Sequence, residues 1–181
     1  AHRLASSDEK LINMADAVNS GKFSYIVPEN ENVGFVFPVY FYSVPDIVER
    51  FCRRLKLKNQ NYVYAVITCG GSIGGSGGLL WEMLSKRNIE LYNVFELLMP
   101  DNAMLFYIIP NGSEVSERLV NAEKNLSGIK NKISAHEIKV IKGRAAAKIG
   151  RTAYRLFRST KKFCVDNSCV GCGLCAKNCP D

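Results

Sequence analysis

Tyr62-Val-Tyr-Ala-Val-Ile-Thr-Cys-Gly-Gly-Ser-Ile-Gly-Gly-Ser-Gly-Gly-Leu-Leu80 is the stretch on which the fold turns. Its first six residues, Tyr62 to Ile67, are continuously apolar and rich in β-branched and aromatic types. Such a run suits a strand buried on both faces of a parallel sheet better than a half-exposed one. The glycines that follow cannot extend a strand, and Leu79, Leu80, Met83 and Leu84 then recur at helical spacing, with Lys86 and Arg87 in the last turn. The pattern predicts strand, tight loop, helix. Upstream, Val33-Gly-Phe-Val-Phe37 repeats the strand signal. Between the two lies a predicted helix, with Ser43 and Asp46 spaced as a capping box and Pro45 in the first turn. Val44, Ile47, Val48, Phe51 and Leu55 line one face of it. Downstream, Ile89 to Met99 reads as a strand interrupted by Asn93 and Glu96. A long helix from about Ser113 carries Val115, Leu119, Ala122, Leu126, Ile129 and Ile133. Lys10-Leu-Ile-Asn-Met14 is a weaker strand candidate. Alternating strands and helices predict a doubly wound α/β fold with helices on both faces of a parallel sheet.

The 181 residues suffice for one such domain and a small appendage, and a hydrophobic share of 47% can build its core. No run of 18 apolar residues is present, so no membrane span is expected. Ala1-His2-Arg3-Leu4-Ala5 is too polar for a secretory signal, and the expected compartment is the cytoplasm. The net charge of +7 is local. Lys142, Arg144, Lys148, Arg151, Arg155, Arg158, Lys161 and Lys162 fall in one stretch without an acid. Three units follow: an α/β domain over 1–141, a basic helical linker over 142–163 and a cysteine-rich end over 164–181. The linker reads first as a solvated helix with one packed face. Next comes a docking surface for an acidic redox partner, and behind it nucleic acid or an anionic membrane.

Four of the seven cysteines crowd into Cys169-Val-Gly-Cys172-Gly-Leu-Cys175-Ala-Lys-Asn-Cys179-Pro180. The spacing C-x2-C-x2-C-x3-C-P is that of bacterial iron–sulfur ligation, in which short loops wrap four thiolates around a cubane. A structural zinc site is the ordinary alternative, but zinc cysteines usually come as separated pairs. Cys164 lies outside the pattern and reads as a packed small residue. Cys52 and Cys69 have no evident histidine partner, so nucleophilic catalysis is disfavoured, and His2 and His136 are assigned no role.

Thr68-Cys-Gly-Gly-Ser-Ile-Gly-Gly75 lacks the Gly-Lys-Ser/Thr of a Walker loop and fits the dinucleotide fingerprint poorly. It does stand at the carboxyl end of a strand, where open sheets bind ligands, and exposed amides there favour polar or anionic groups. Pro38-Val39-Tyr40-Phe41-Tyr42 ends the neighbouring strand on the same side, so its rings can stack on a flat heterocycle or pack beneath the next helix.

With these loops, Asn32-Val-Gly-Phe-Val-Phe-Pro-Val-Tyr40 and Met99-Pro-Asp-Asn102, nearly the whole chain resembles the flavodoxin-like ferredoxins, fusions of a flavodoxin domain with a bacterial ferredoxin module (EFR-type). The resemblance implies flavin mononucleotide (FMN) and a sheet of order 2-1-3-4-5. Pro38, Val39, Tyr40 and Phe41 would form one ring-contacting loop; Thr68, Cys69, Gly70, Gly71 and Ser72 would form the other. Cys169, Cys172, Cys175 and Cys179 would hold [4Fe-4S] clusters, one or two in a complete protein. The family's first strand and phosphate loop are expected before Ala1, and ligands of a second cluster after Asp181. In two-cluster ferredoxins the fourth cysteine of such a run serves the other cluster, which would be the part of Cys179. The expected function is an electron carrier that relays between FMN and clusters, partnered by a redox protein. A flavin-dependent reductase of a quinone or similar small molecule is the second reading, and a metal-stabilised nucleic-acid-binding protein the third.

Overall fold

The computed structural model describes residues 10–100, 111–141, 152 and 164–178. Its elements are α1 (Met14–Asn19), β1 (Ser24–Ile26), β2 (Val33–Pro38), α2 (Asp46–Cys52), β3 (Lys56–Lys58), β4 (Val63–Cys69), α3 (Ser76–Ser85), β5 (Asn93–Leu98), α4 (Gly112–Ser134) and α5 (Leu174–Lys177). The protein is mixed α/β with parallel strands. β2, β4 and β5 form one sheet in that order, and β1 pairs with β3 in a second. The described strands thus stand in two parallel sheets.

β4 is central because its sequence permits burial on both faces. From Val63 to Ile67 every residue is buried. One face packs Phe35, Phe37, Ala65 and Ile67 against Val48, Phe51, Leu80 and Leu84 of α2 and α3. The other places Tyr64, Val66, Phe95 and Leu97 against Ala122, Leu126 and Ile129 of α4. Helices on both faces let β4 be apolar throughout. The expected inward residues of α3 are buried, as are Val44, Val48, Phe51 and Leu55 around α2. The stripe on α4 is shorter than its sequence spacing implies, since Leu119 is exposed.

Three local readings need correction. Lys10 to Asn13 form no strand, and Met14 opens a helix whose first amides are capped by the Asn13 side chain. The Ser43–Asp46 spacing makes no capping box, because Pro45 is the N-cap and no side chain caps α2. Ser43 instead closes a tight turn, exchanging backbone hydrogen bonds with Tyr40 at 3.0 and 2.9 Å. The strand expected from Ile89 begins at Asn93. Its first residue is fully buried because the Asn93 amide donates to the Glu137 carbonyl at 2.8 Å. A capping box does form on α4, where Asn111 and Glu114 satisfy each other's backbone N–H groups.

The helical linker expected over 142–163 lies outside the described residues except for Thr152, as do Ala1–Ala5, Asp101 and Asn102. Among the described residues no helix is long and apolar enough to cross a membrane.

Candidate functional site

The carboxyl ends of β2 and β4 bring the two predicted loops together. Because these strands are parallel neighbours with Pro38 beside Thr68, both chains leave the sheet on the same side. The Val39 N–H donates to the Thr68 carbonyl at 2.8 Å, so the pairing continues one residue into the loops. Beyond it the chain reverses sharply through Tyr40 to Ser43. Phe41 and Tyr42 take φ of 48° and 57°, a region that bulky side chains rarely occupy. This turn exposes Tyr40, Phe41 and Tyr42 as an aromatic ledge, each at least 41% accessible.

The glycine turn is held at several points. The Arg118 guanidinium of α4 donates to the Gly70 carbonyl at 3.4 Å. Glu96 of β5 accepts the Ile73 N–H at 3.0 Å, and the Ser72 hydroxyl accepts that of Gly74 at 3.1 Å. Met99 N–H donates to the Cys69 carbonyl at 2.8 Å, tying the end of β5 to the turn. Gly74, at φ 54°, lies against Tyr42, and a Cβ there would come within 2.6 Å of the Tyr42 Cβ. The aromatic ledge and the glycine turn are therefore in contact. Among the described residues no hydrogen bond occupies the amides of Gly70, Gly71 or Ser72. Three amides beside three exposed rings fit a planar heteroaromatic group with a polar edge. Glu96 and Arg118 were not foreseeable as parts of this site, because they reach it from residues 23 and 48 positions away.

Comparison with family profiles, curated proteins and solved structures finds no match.

The cysteine segment is organised differently. Gly171 and Gly173 adopt φ of 67° and 71°, turning the chain twice between cysteines before the single turn of α5. Upstream, the Asp166 carboxylate accepts the hydroxyl and the backbone N–H of Ser168, and these bonds hold its pKa below the usual value. Cys164, Cys169, Cys172 and Cys175 are all exposed free thiols, so Cys164 is not the packed residue its sequence context suggests. The donor set suits an iron–sulfur cluster, and the two left-handed glycines supply the chain reversals that close-spaced ligands require. Among the described residues no group of three or more His, Cys, Asp or Glu is placed to hold a metal ion. Cys179 and Pro180 lie outside the described residues.

Cys52 contrasts with these. Buried in the core as the last residue of α2, it has a thiol pKa pushed up to about 12 by desolvation and is therefore protonated and inert at neutral pH.

Proposed function

We propose that the chain is an electron-transfer protein of the flavodoxin/ferredoxin fusion type, with FMN at the sheet-end loops and a [4Fe-4S] cluster at the cysteine segment. The observation that carries this reading is the C-x2-C-x2-C-x3-C-P run, now with left-handed glycines at Gly171 and Gly173. Cys169, Cys172, Cys175 and Cys179 would hold the cluster. Pro38 to Phe41 and Thr68 to Ser72 would hold the flavin ring. The bound groups supply reversible one- and two-electron chemistry, and the protein sets their access to partners. In this reading the protein's own residues position and do not react. The amides of Gly70, Gly71 and Ser72 would meet the polar edge of the ring, and Tyr40 and Phe41 would cover its face. The neighbour order β2-β4-β5 suits the last three strands of a 2-1-3-4-5 sheet, in which β1 would not touch β2. The open aromatic ledge suits a carrier whose ring edge must reach a partner protein. A reductase of a quinone would need an enclosed substrate pocket over the same ring.

The absorption spectrum of anaerobically purified protein, read with iron and sulfide analysis, tests the proposal. Flavin bands together with a broad cluster absorbance are expected. Zinc with a featureless visible spectrum would replace this reading with the metal-stabilised alternative.

A further inference from the structure

A second concavity lies at the other end of the sheet. α2 and α3 both begin beside the sheet-end loops and run back along the sheet, so their C-termini lie at the amino ends of the strands. There the Gln60 side chain ties the two returning loops together by donating to the Asn88 carbonyl at 2.8 Å. Next to them is an open surface concavity of about 540 Å³. Its seven lining residues include Arg53, Arg54, Lys56 and Arg87 and no acid.

Cations just past a helix end ordinarily offset the negative potential of its last carbonyls. Arg53, Arg54 and Arg87 occupy such positions. Two features go beyond that role. First, the guanidinium groups are fixed in advance. Arg53 Nε donates to Glu49 at 2.9 Å, Arg87 Nε donates to the Leu55 carbonyl at 3.1 Å, and Arg54 lies 5.3 Å above the Phe23 ring. Anchoring at Nε leaves the terminal N–H groups of Arg53 and Arg87 for a ligand and removes part of the entropy cost of ordering them. Second, Lys56 comes from β3, not from a helix end, and its ammonium meets no acid among the described residues.

We propose that this cavity is a binding site for an oligophosphate. Glu49 offsets Arg53, but Arg54, Lys56 and Arg87 meet no acid among the described residues. A compact ligand with several negative charges gains more from this net positive cluster than a singly charged one. Phosphate oxygens also match the fork of an arginine. A docking surface serving electron transfer would lie at the opposite end, beside the loops proposed to hold the flavin. The chemistry is shared by inorganic oligophosphate and nucleoside triphosphates.

The test is calorimetric titration of the whole chain with inorganic tripolyphosphate and, separately, with ATP. Saturable binding of tripolyphosphate that weakens with salt is expected. Lys56→Glu should lower the affinity about tenfold, and Lys56→Gln, which keeps the exposed strand end uncharged, about threefold. Neutralising Arg151, Arg155 and Arg158 together should leave it unchanged. Equal affinities for the two ligands would assign the phosphates alone, and ATP about tenfold tighter would assign a nucleotide; both support the site. Absence of tripolyphosphate binding, equal binding by both Lys56 variants, or loss on neutralising the 151–158 stretch would overturn it. Binding of polyglutamate in place of tripolyphosphate would overturn it in favour of an acidic protein.

Discussion

Cys69 ends β4 as a buried residue beside the glycine turn, while Cys169, Cys172 and Cys175 are exposed thiols on a segment with no buried residue. The two regions carry the two halves of the proposed function and are built on opposite principles. At the sheet end, strand pairing, Arg118, Glu96 and Tyr42 fix the loops before any ligand arrives. In the cysteine segment the hydrogen bonds recorded among residues 164–178 span four positions or fewer. Nothing apolar is buried there to offset the entropy of ordering the chain. In the proposed reading its order would come from ligation, as in small metal-bound domains where binding energy is folding energy.

The largest expected effect breaks the molecule along this line. Cys172→Ala should abolish the cluster, removing its visible absorbance, while the melting temperature of the α/β domain stays the same. Stripping iron from the loaded protein with a chelator should likewise open residues 164–178 to proteolysis and leave the glycine turn protected. Joint loss of both regions would show that they form one cooperative unit.

Core truncation should give the reverse pattern. Ile67 is fully buried in β4, so Ile67→Ala should cost about 3 kcal/mol in denaturant unfolding. Val170, 86% exposed, can be cut to Ala with a change of no more than about 0.5 kcal/mol. A large effect at Val170 would mean that the segment buries this side chain in the loaded protein.

The same contrast explains what the sequence could disclose. β2, β4, α2 and α3 were legible because each presents apolar residues at its own period to a core. β1 and β3 were not, because Ser24-Tyr-Ile26 and Lys56-Leu-Lys58 are short, with only the middle residue even half buried. Lys10 to Met14 suggested a weak strand, yet Leu11 and Ile12 are exposed and the Asn13 cap starts α1 at Met14. Ser43 had the spacing of a cap, but the preceding Tyr40–Ser43 turn uses it otherwise. For the candidate site, the loops were legible from their position after strands. Glu96 and Arg118 reach them by tertiary contact and leave no local signal. The cysteine spacing was the clearest motif, yet residues 164–178 are all exposed, so packing does not fix their geometry.

Thiol titration sharpens the comparison at alkaline pH. Burial holds the Cys52 proton up to a pKa of about 12, whereas in the unfolded chain the thiol titrates near its ordinary value. Between these values the native state binds the proton and the unfolded state has lost it. Stability from this group is therefore complete below the ordinary thiol pKa and falls as pH rises toward 12, by at most about 1.4 kcal/mol per pH unit. Buried Tyr62, also raised by desolvation, adds to the same trend. Cys52→Ala should flatten the pH dependence of unfolding in this range. At neutral pH, maleimide should label Cys169, Cys172 and Cys175 in the cluster-free protein and spare Cys52. Rapid native labelling of Cys52 would contradict its packing.

The smallest effect separates the ligand site from the scaffold that supports it. Gly71 is exposed, its φ lies outside the left-handed region, and a Cβ built on it meets nothing within 4 Å. Gly71→Val therefore creates no clash within the protein, and melting should shift little. A bound flavin edge near the Gly70–Ser72 amides would meet the added methyls, so FMN affinity should fall about tenfold, or roughly 1.4 kcal/mol. Gly74→Ala provides the contrast, since its left-handed φ and its contact with Tyr42 make any side chain costly to the fold itself. That variant should lose stability by about 1–3 kcal/mol as well as affinity. If Gly71→Val left FMN affinity unchanged while Gly74→Ala lowered it, the glycine turn would act only through the position of Tyr42. The ring contacts would then belong to the aromatic ledge alone.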